Sequence, residues 1–247
     1  YLNSLTWDGT SRVEAWMSEI GETDNASVAA VVGKAWMIAA AARGIKPGCQ
    51  VHSALVLEGE EGIGKSRAAR ALCKDPEWFA DTSIDLRDPV EAYQQIAGKW
   101  IIELAEFDQL CRKSEYPQLK AFLSSPCDTY RSPYAAIAKD HPRACAFLGT
   151  ANPVEYIPNG SARRIWPVRY TGKIKVGWVE KWRDQLWAEA VHLYKAGESW
   201  YVDVPEASAA RVLVDPWCEV IQEIMVRNHG QAIRVNSIAM SLGLQAP

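Results

Sequence analysis

The stretch Ala54-Leu55-Val56-Leu57-Glu58-Gly59-Glu60-Glu61-Gly62-Ile63-Gly64-Lys65-Ser66-Arg67 decides how the rest of the 247-residue sequence is read. Its first four residues form a continuous apolar run, the pattern of a strand buried on both faces of a parallel sheet. Gly59 to Ser66 then matches G-x-x-x-x-G-K-[ST] in full, and residues 65–72 resume with helical composition. The spacing has a mechanical reason. Glycines let the backbone curl so that its N–H groups face a phosphate, the lysine reaches the β and γ oxygens, and the neighbouring hydroxyl ligates Mg²⁺. Gly59, Glu60, Glu61, Gly62, Ile63, Gly64, Lys65, Ser66 and Arg67 are therefore the candidate nucleotide-binding residues. A glycine-rich turn without a ligand is the competing reading.

Outward from this loop, apolar runs at 100–104 and 144–148 read as further strands, separated by helical stretches at 107–112 and 118–123. Strands alternating with helices at this spacing predict an α/β layered fold around a parallel sheet. Hydrolysis at such a loop needs a carboxylate at the end of a neighbouring strand. Glu103 interrupts the run at 100–104 and Glu106 lies just past it, so one or both are candidates, Glu106 also as a Mg²⁺ ligand. Asn152 ends the next run and is placed to orient a lytic water through its amide. Residues 11–46 read as helical, with Val13, Trp16, Met17 and Ile20 on one face. A long helix at 176–196 carries Trp178, Trp182 and Trp187, which helical spacing assigns to packing. The tail, 205–247, reads as helical with a break at 228–230.

Composition excludes several classes. The sequence is 48% hydrophobic and 23% charged, with mean hydropathy near zero, values of a globular chain and not a disordered one. No uninterrupted apolar run approaches the ~18 to 20 residues of a membrane span, so none is expected. The chain does not begin with Met and reads as a fragment. Six scattered cysteines lack metal spacing and read as free thiols of a reducing cytoplasm. The net charge of −3 argues against nucleic acid if evenly spread. It is uneven: residues 131–175 hold Arg131, Lys139, Arg143, Arg163, Arg164, Arg169, Lys173 and Lys175 against only Asp140 and Glu155, a local +6 in a chain whose remainder is −9.

The loop, the run Trp100-Ile101-Ile102-Glu103-Leu104-Ala105-Glu106, Leu119 to Leu123, Asp128 to Tyr134, Pro142-Arg143, Gly149-Thr150-Ala151-Asn152, Arg163 to Val168 and Arg183 to Ala190 together resemble the P-loop domain of virulence-associated protein E proteins. These are phage- and plasmid-type relatives of superfamily 3 helicases. The resemblance spans roughly residues 1–202, and Trp7-Asp8-Gly9 and Pro47-Gly48-Cys49 add upstream landmarks. It implies an AAA+-like P-loop NTPase core hydrolysing ATP with Mg²⁺, working as a ring, usually a hexamer, that translocates on single-stranded DNA during phage or plasmid replication. Such domains are often fused behind a primase-polymerase module, in the cytoplasm of a bacterial host. The resemblance assigns Lys65 and Ser66 to Walker A, Glu106 with Glu103 to Walker B, Asn152 to sensor 1, and Arg163 or Arg164 to an arginine finger completing a neighbour's site. Many ring ATPases carry two adjacent acids at Walker B; here they lie three apart, which leaves the water-activating residue open between them.

In this frame residues 1–50 form an N-terminal helical segment, 51–202 the ATPase core, and 203–247 a C-terminal helical segment whose 233–244 resembles the opening of a winged helix. The basic stretch 131–143 predicts a hairpin lining a pore, with Arg131, Lys139, His141 and Arg143 on DNA and Tyr130 or Tyr134 near a base. Arg183 is either a sensor reaching the nucleotide or half of a surface ion pair. A nucleotide-gated initiator or interference ATPase that grips DNA without unwinding it fits the same motifs.

Overall fold

A computed structural model describes residues 1–81, 84–111, 116–131, 135–152, 156–158, 162–209, 211–213, 223–224 and 226–227. The chain divides into two compact units, Tyr1–Val212 and Leu213–Pro247. In the second, Arg227 pairs with Glu223 one helical turn away at 2.6 Å; the stretch 233–244 lies outside the described residues.

The first unit is built on a five-stranded sheet. Its strands are β1 (Ala54–Glu58), β2 (Phe79–Asp81), β3 (Ile101–Leu104), β6 (Ala146–Ala151) and β7 (Ile165–Arg169), with β4 (Cys127–Tyr130) and β5 (Lys139–Pro142) forming a separate pair. The order is β2-β3-β6-β1-β7, and every pairing within it is parallel. Every residue of β1, β3 and β6 is buried, as a sheet covered on both faces requires. The helices are α1 (Trp16–Ile20), α2 (Ala26–Ile45), α3 (Lys65–Ala71), α4 (Pro89–Ile96), α5 (Phe107–Leu110), α6 (Tyr116–Ser124), α7 (Val176–Lys195) and α8 (Pro205–Ala209).

Alternate side chains of β1 divide the core into two layers. Leu55 and Leu57 join a cluster with Trp36 and Ala40 of α2 and Trp187 of α7. Ala54 and Val56 join another with Phe107, Leu119 and Phe122. Three indoles of the first layer each find an acceptor at a buried backbone: Trp36 Nε1 donates to Phe147 O at 2.7 Å, Trp100 Nε1 to Ala40 O at 2.9 Å and Trp187 Nε1 to Leu72 O at 2.8 Å. Buried indole N–H groups usually find such a partner, and here the partners tie α2 to the sheet and α7 to the end of α3. Residues 1–50 thus share one core with the strands and lie in the same compact unit. Trp187 packs as the spacing predicts, while Trp178 and Trp182 are half-buried against this core; Trp182 lies under the Arg12 guanidinium at 4.3 Å.

The expectation of no membrane-length helix needs correction. α2 is long and apolar enough, with mean hydropathy 1.4, but two-thirds of that window is buried. Interior packing against α7 and the sheet accounts for its composition.

An antiparallel pair stands at the predicted hairpin, but its first strand precedes the segment 131–143 and two of the four predicted residues are not at its surface. β4 and β5 pair antiparallel, Asp128 opposite His141 and Tyr130 opposite Lys139. Arg131 and Lys139 are exposed. Arg143 is not available to DNA, contrary to the sequence reading: its side chain is 1% exposed. Its Nε and Nη2 donate to both Asp128 oxygens at 2.8 and 2.6 Å, and Nη1 donates to Phe122 O. The guanidinium also lies over the Phe122 ring at 4.5 Å. His141 is half-buried, its ring stacked on Tyr130 at 4.1 Å, so it braces the hairpin. Tyr134 lies outside the described residues.

Removing one partner of a buried pair strands the other's charge, a loss of about 3–5 kcal/mol. Arg143→Ala is therefore expected to lower the urea-unfolding free energy by that amount, whereas Lys139→Ala leaves it within about 0.5 kcal/mol. Equal, small effects of both substitutions would contradict the buried assignment.

Candidate active site

Parallel strands deliver their carboxyl ends to one edge of the sheet, and the glycine loop leaves β1 there. Gly59 N donates to Ala151 O at 3.3 Å, Tyr170 N to Glu58 O at 2.9 Å and Ile174 N to Ile63 O at 2.9 Å, so the loop is stitched to the exits of β6 and β7. Gly59, Gly62 and Gly64 all take positive φ. Gly59 has φ 151°, and a Cβ there would meet Ile63 Cδ1 at 2.4 Å and Tyr170 O at 3.0 Å. Gly64, with φ 108°, turns the chain into α3 as its left-handed N-cap.

Lys65 opens α3 and folds back over the loop, its Nζ donating to Gly59 O at 2.5 Å and Glu60 O at 2.8 Å. Burial pushes its pKa down, against the pull of Glu61 and Glu103. Beside it lies a cleft of about 430 Å³, whose walls include Lys65, Ser66, Glu106, Asp108, Thr150 and Asn152. Gly62, Gly64, Glu61 and Arg67 line its loop side.

The two predicted acids occupy different places. Glu106 faces the cleft from a left-handed conformation, φ 49°, and accepts from Gln109 Nε2. Glu103 is 1% exposed inside β3 and accepts a 2.8 Å hydrogen bond from Thr150 Oγ1. What seats Glu106 is the residue after it. Phe107 is fully buried over Gly149, where a Cβ would approach its ring to 2.8 Å. Only glycine in β6 leaves room for this ring, and the ring fixes the turn that presents Glu106.

Behind the loop lies a network the sequence reading missed. Glu58, 1% exposed, accepts from Tyr156 Oη at 2.8 Å and from Arg211 Nε at 2.8 Å; Arg211 Nη2 reaches Asp24 at 2.6 Å. Burial raises the Glu58 pKa, with Arg211 acting against it. An acid closing an apolar strand was the available signal, the one that singled out Glu103. The partners Asp24, Tyr156 and Arg211 come from remote parts of the chain.

The arginine pair is elsewhere. Arg163 and Arg164 end a 3₁₀ turn just before β7, and the register Ala54 to Ile165 puts them beside the start of β1. A five-residue strand separates that edge from the glycine loop, about 16 Å. Arg163 is exposed; Arg164 is half-buried, with Nη1 on Lys120 O at 3.0 Å. Arg169, Lys173 and Lys175 instead lie near the loop, because the chain leaves β7 at that edge. The +6 segment is thus divided between opposite edges and does not form one basic surface. Arg183 is neither of the predicted alternatives alone. Its Nη1 donates to Ala71 O and Cys73 O at 3.2 and 3.4 Å, capping the end of α3 far from Lys65, and its Nε contacts Asp184 at 3.5 Å.

Residues 2–214 match the virulence-associated protein E-like domain. The chain belongs to that family. Its fold resembles two solved structures of the NrS-1 C-terminal region. The A-form apo structure has a TM-score of 0.52 at 14% identity, covering 90% of this chain and 53% of that one. An apo structure of NrS-1 residues 305–718 has a TM-score of 0.51 at 15% identity, covering 94% and 55%. The VapE-like chain therefore spans about half the length of those structures. No curated protein matches it.

Gly149→Val tests the seating of Glu106. Overpacking against Phe107 and Val56 is expected to cost about 1–3 kcal/mol in denaturant unfolding, and the double variant with Phe107→Ala is expected to restore part of that loss. Additive losses in the pair would argue that the contact does not matter.

Proposed function

We propose that this VapE-like domain is a Mg²⁺-dependent ATPase that moves on single-stranded DNA as a hexameric ring, within a longer protein that carries a primase-polymerase module and acts in phage or plasmid replication in the bacterial cytoplasm. One observation carries the reading: Lys65 and Ser66, picked out by loop spacing, and Glu106 and Asn152, picked out at strand ends, line a single cleft.

The chemistry follows from the residues. Lys65 exchanges two loop carbonyls for β- and γ-phosphate oxygens, and its ammonium offsets charge on the transferring group. The Ser66 hydroxyl and the Glu106 carboxylate are hard oxygen donors of the kind Mg²⁺ takes together with phosphates. Bound there, Mg²⁺ would neutralise phosphate charge. Glu106 lies in the open and is the better candidate to orient and deprotonate water. Glu103, behind Thr150, tunes the field at Lys65. Asn152 holds the water through its amide without changing charge.

Arg163 cannot serve the cleft of its own chain across ~16 Å of sheet, which favours action in trans. Its exposure makes it the freer arm of the pair, since Arg164 is fastened to Lys120 O. A head-to-tail interface of this kind joins opposite edges of successive copies, and such interfaces form rings where the rotation between copies closes and open filaments where it does not.

ATPase assays with and without oligonucleotide, alongside mass in solution, test this. Lys65→Ala is expected to abolish turnover, and Arg163→Ala to reduce it about 10³-fold while leaving ATP binding within a fewfold. Turnover per subunit is expected to rise with protein concentration, and Arg163→Ala subunits to poison mixed rings. Concentration-independent turnover by a monomer would overturn the ring. ATP-dependent binding without translocation on a fluorescent strand would identify a static initiator instead.

A further inference from the structure

On the edge opposite the cleft, two aromatic residues have no place in the ATPase reading. Trp200 and Tyr201 follow α7, and both are anchored to one carbonyl: Trp200 Nε1 and Tyr201 Oη donate to Gln50 O at 2.9 and 3.0 Å. Their rings lie 5.5 Å apart at 30°, and Tyr201 is 55% exposed. Tethering the polar ends fixes the ring faces before anything binds, which lowers the entropy lost on binding. The same two residues border a pocket of about 370 Å³ with His52, Arg163, Arg164 and Asp203. Two guanidiniums face one carboxylate there, and His52 lies 6.1 Å from the Tyr201 ring. Burial, Arg164 and Arg43 together push the His52 pKa down, so the pocket's positive charge comes from arginine.

This pocket adjoins the hairpin. Gly48, two residues before Gln50, donates its N–H to Arg143 O at 2.9 Å, and a Cβ on it would lie 3.3 Å from Pro142. About 7 Å of extended chain therefore connects the aromatic shelf to the hairpin base. Lys46 and Lys139, on either side of this junction, are exposed.

We infer that Trp200 and Tyr201 form a stacking shelf for one base of a single-stranded DNA whose adjoining phosphate is held by Arg164. Exposed rings beside a cationic groove are the general means of holding single strands without reading sequence, because every base has a π-face. Arg164, braced by Lys120 O, stays with its own shelf and leaves Arg163 for a neighbouring copy. The pocket admits one base, and the strand continues toward Lys139. This inference rests on the DNA reading of the proposed function and adds a contact outside the hairpin.

Binding of fluorescein-labelled oligo(dT) at fixed salt, without ATP, tests the shelf apart from the ATPase. Tyr201→Ala is expected to raise Kd about tenfold, and Tyr201→Phe, which keeps the ring but loses its tether to Gln50 O, to raise it clearly less than that. Oligo(dT) carrying 5-iododeoxyuridine is expected to photocross-link to the peptide containing Trp200 and Tyr201. If Lys139→Ala weakens binding while Tyr201→Ala does not, and cross-links fall only on the hairpin, the shelf is overturned and the hairpin reading stands. If the wild-type protein captures no oligonucleotide, the DNA reading itself fails and takes the shelf with it.

Discussion

All five strands of the sheet point the same way, and this common polarity organises the molecule. Parallel pairing of β1 with β6 and β7, and of β6 with β3, gathers the carboxyl ends of the strands at one edge. There the glycine loop, Glu106 and Asn152 meet without any of them touching in sequence. The amino ends gather at the other edge, with the β4–β5 hairpin, the arginine pair and the Trp200–Tyr201 shelf. Ligand crevices of open α/β sheets lie outside the carboxyl ends of strands, so the cleft is where this topology places one. Connections between parallel strands must cross the sheet, and the helices that cross it supply the two apolar layers.

Such an arrangement buries charge where the loop is fastened. Glu58 ends β1 one residue before Gly59, fully inside the protein, and a carboxylate there is tolerable only with partners that satisfy both oxygens. Tyr156 takes one and Arg211 the other, while Arg211 also holds Asp24. Four chain segments converge on one carboxylate at the root of the loop. The Arg143–Asp128 pair does the same for the hairpin. Each pair fixes the base of its loop, while Glu60 and Glu61 beyond the first and Lys139 beyond the second are exposed.

Much of this was legible in advance, for definite reasons. β1, β3 and β6 are central strands and carry continuous apolar runs, so their existence and order along the chain follow from hydrophobicity. The loop spacing located Lys65 and Ser66, and strand ends located Glu106 and Asn152. β7 escaped because Pro167 sits in it, a residue that argues against a central strand; β7 is an edge strand, where a missing N–H costs nothing. β2 spans three residues and offers no period to read. Arg143 was misread for a different reason. Its sequence neighbourhood is basic, and the acid that neutralises it lies 15 residues back, brought close by the β4–β5 register that no local pattern encodes.

The charge distribution needed the same correction. Summed along residues 131–175 the bases form one cluster, but a strand about 16 Å long runs through the middle of it. β7 carries the chain from Arg164 at one edge to Arg169 at the other, so a linear excess becomes two surfaces facing apart. At the carboxyl edge Glu61, Glu106 and Asp108 border the cleft together with Lys65 and Arg67, so the charge there is mixed. At the amino edge Arg163 is exposed while Arg164 is held on Lys120 O, so the two arginines differ in how freely their charge reaches the surface. The net charge is the same wherever these bases lie; the parallel strand between Arg164 and Arg169, and not their number, decides which edge each one charges.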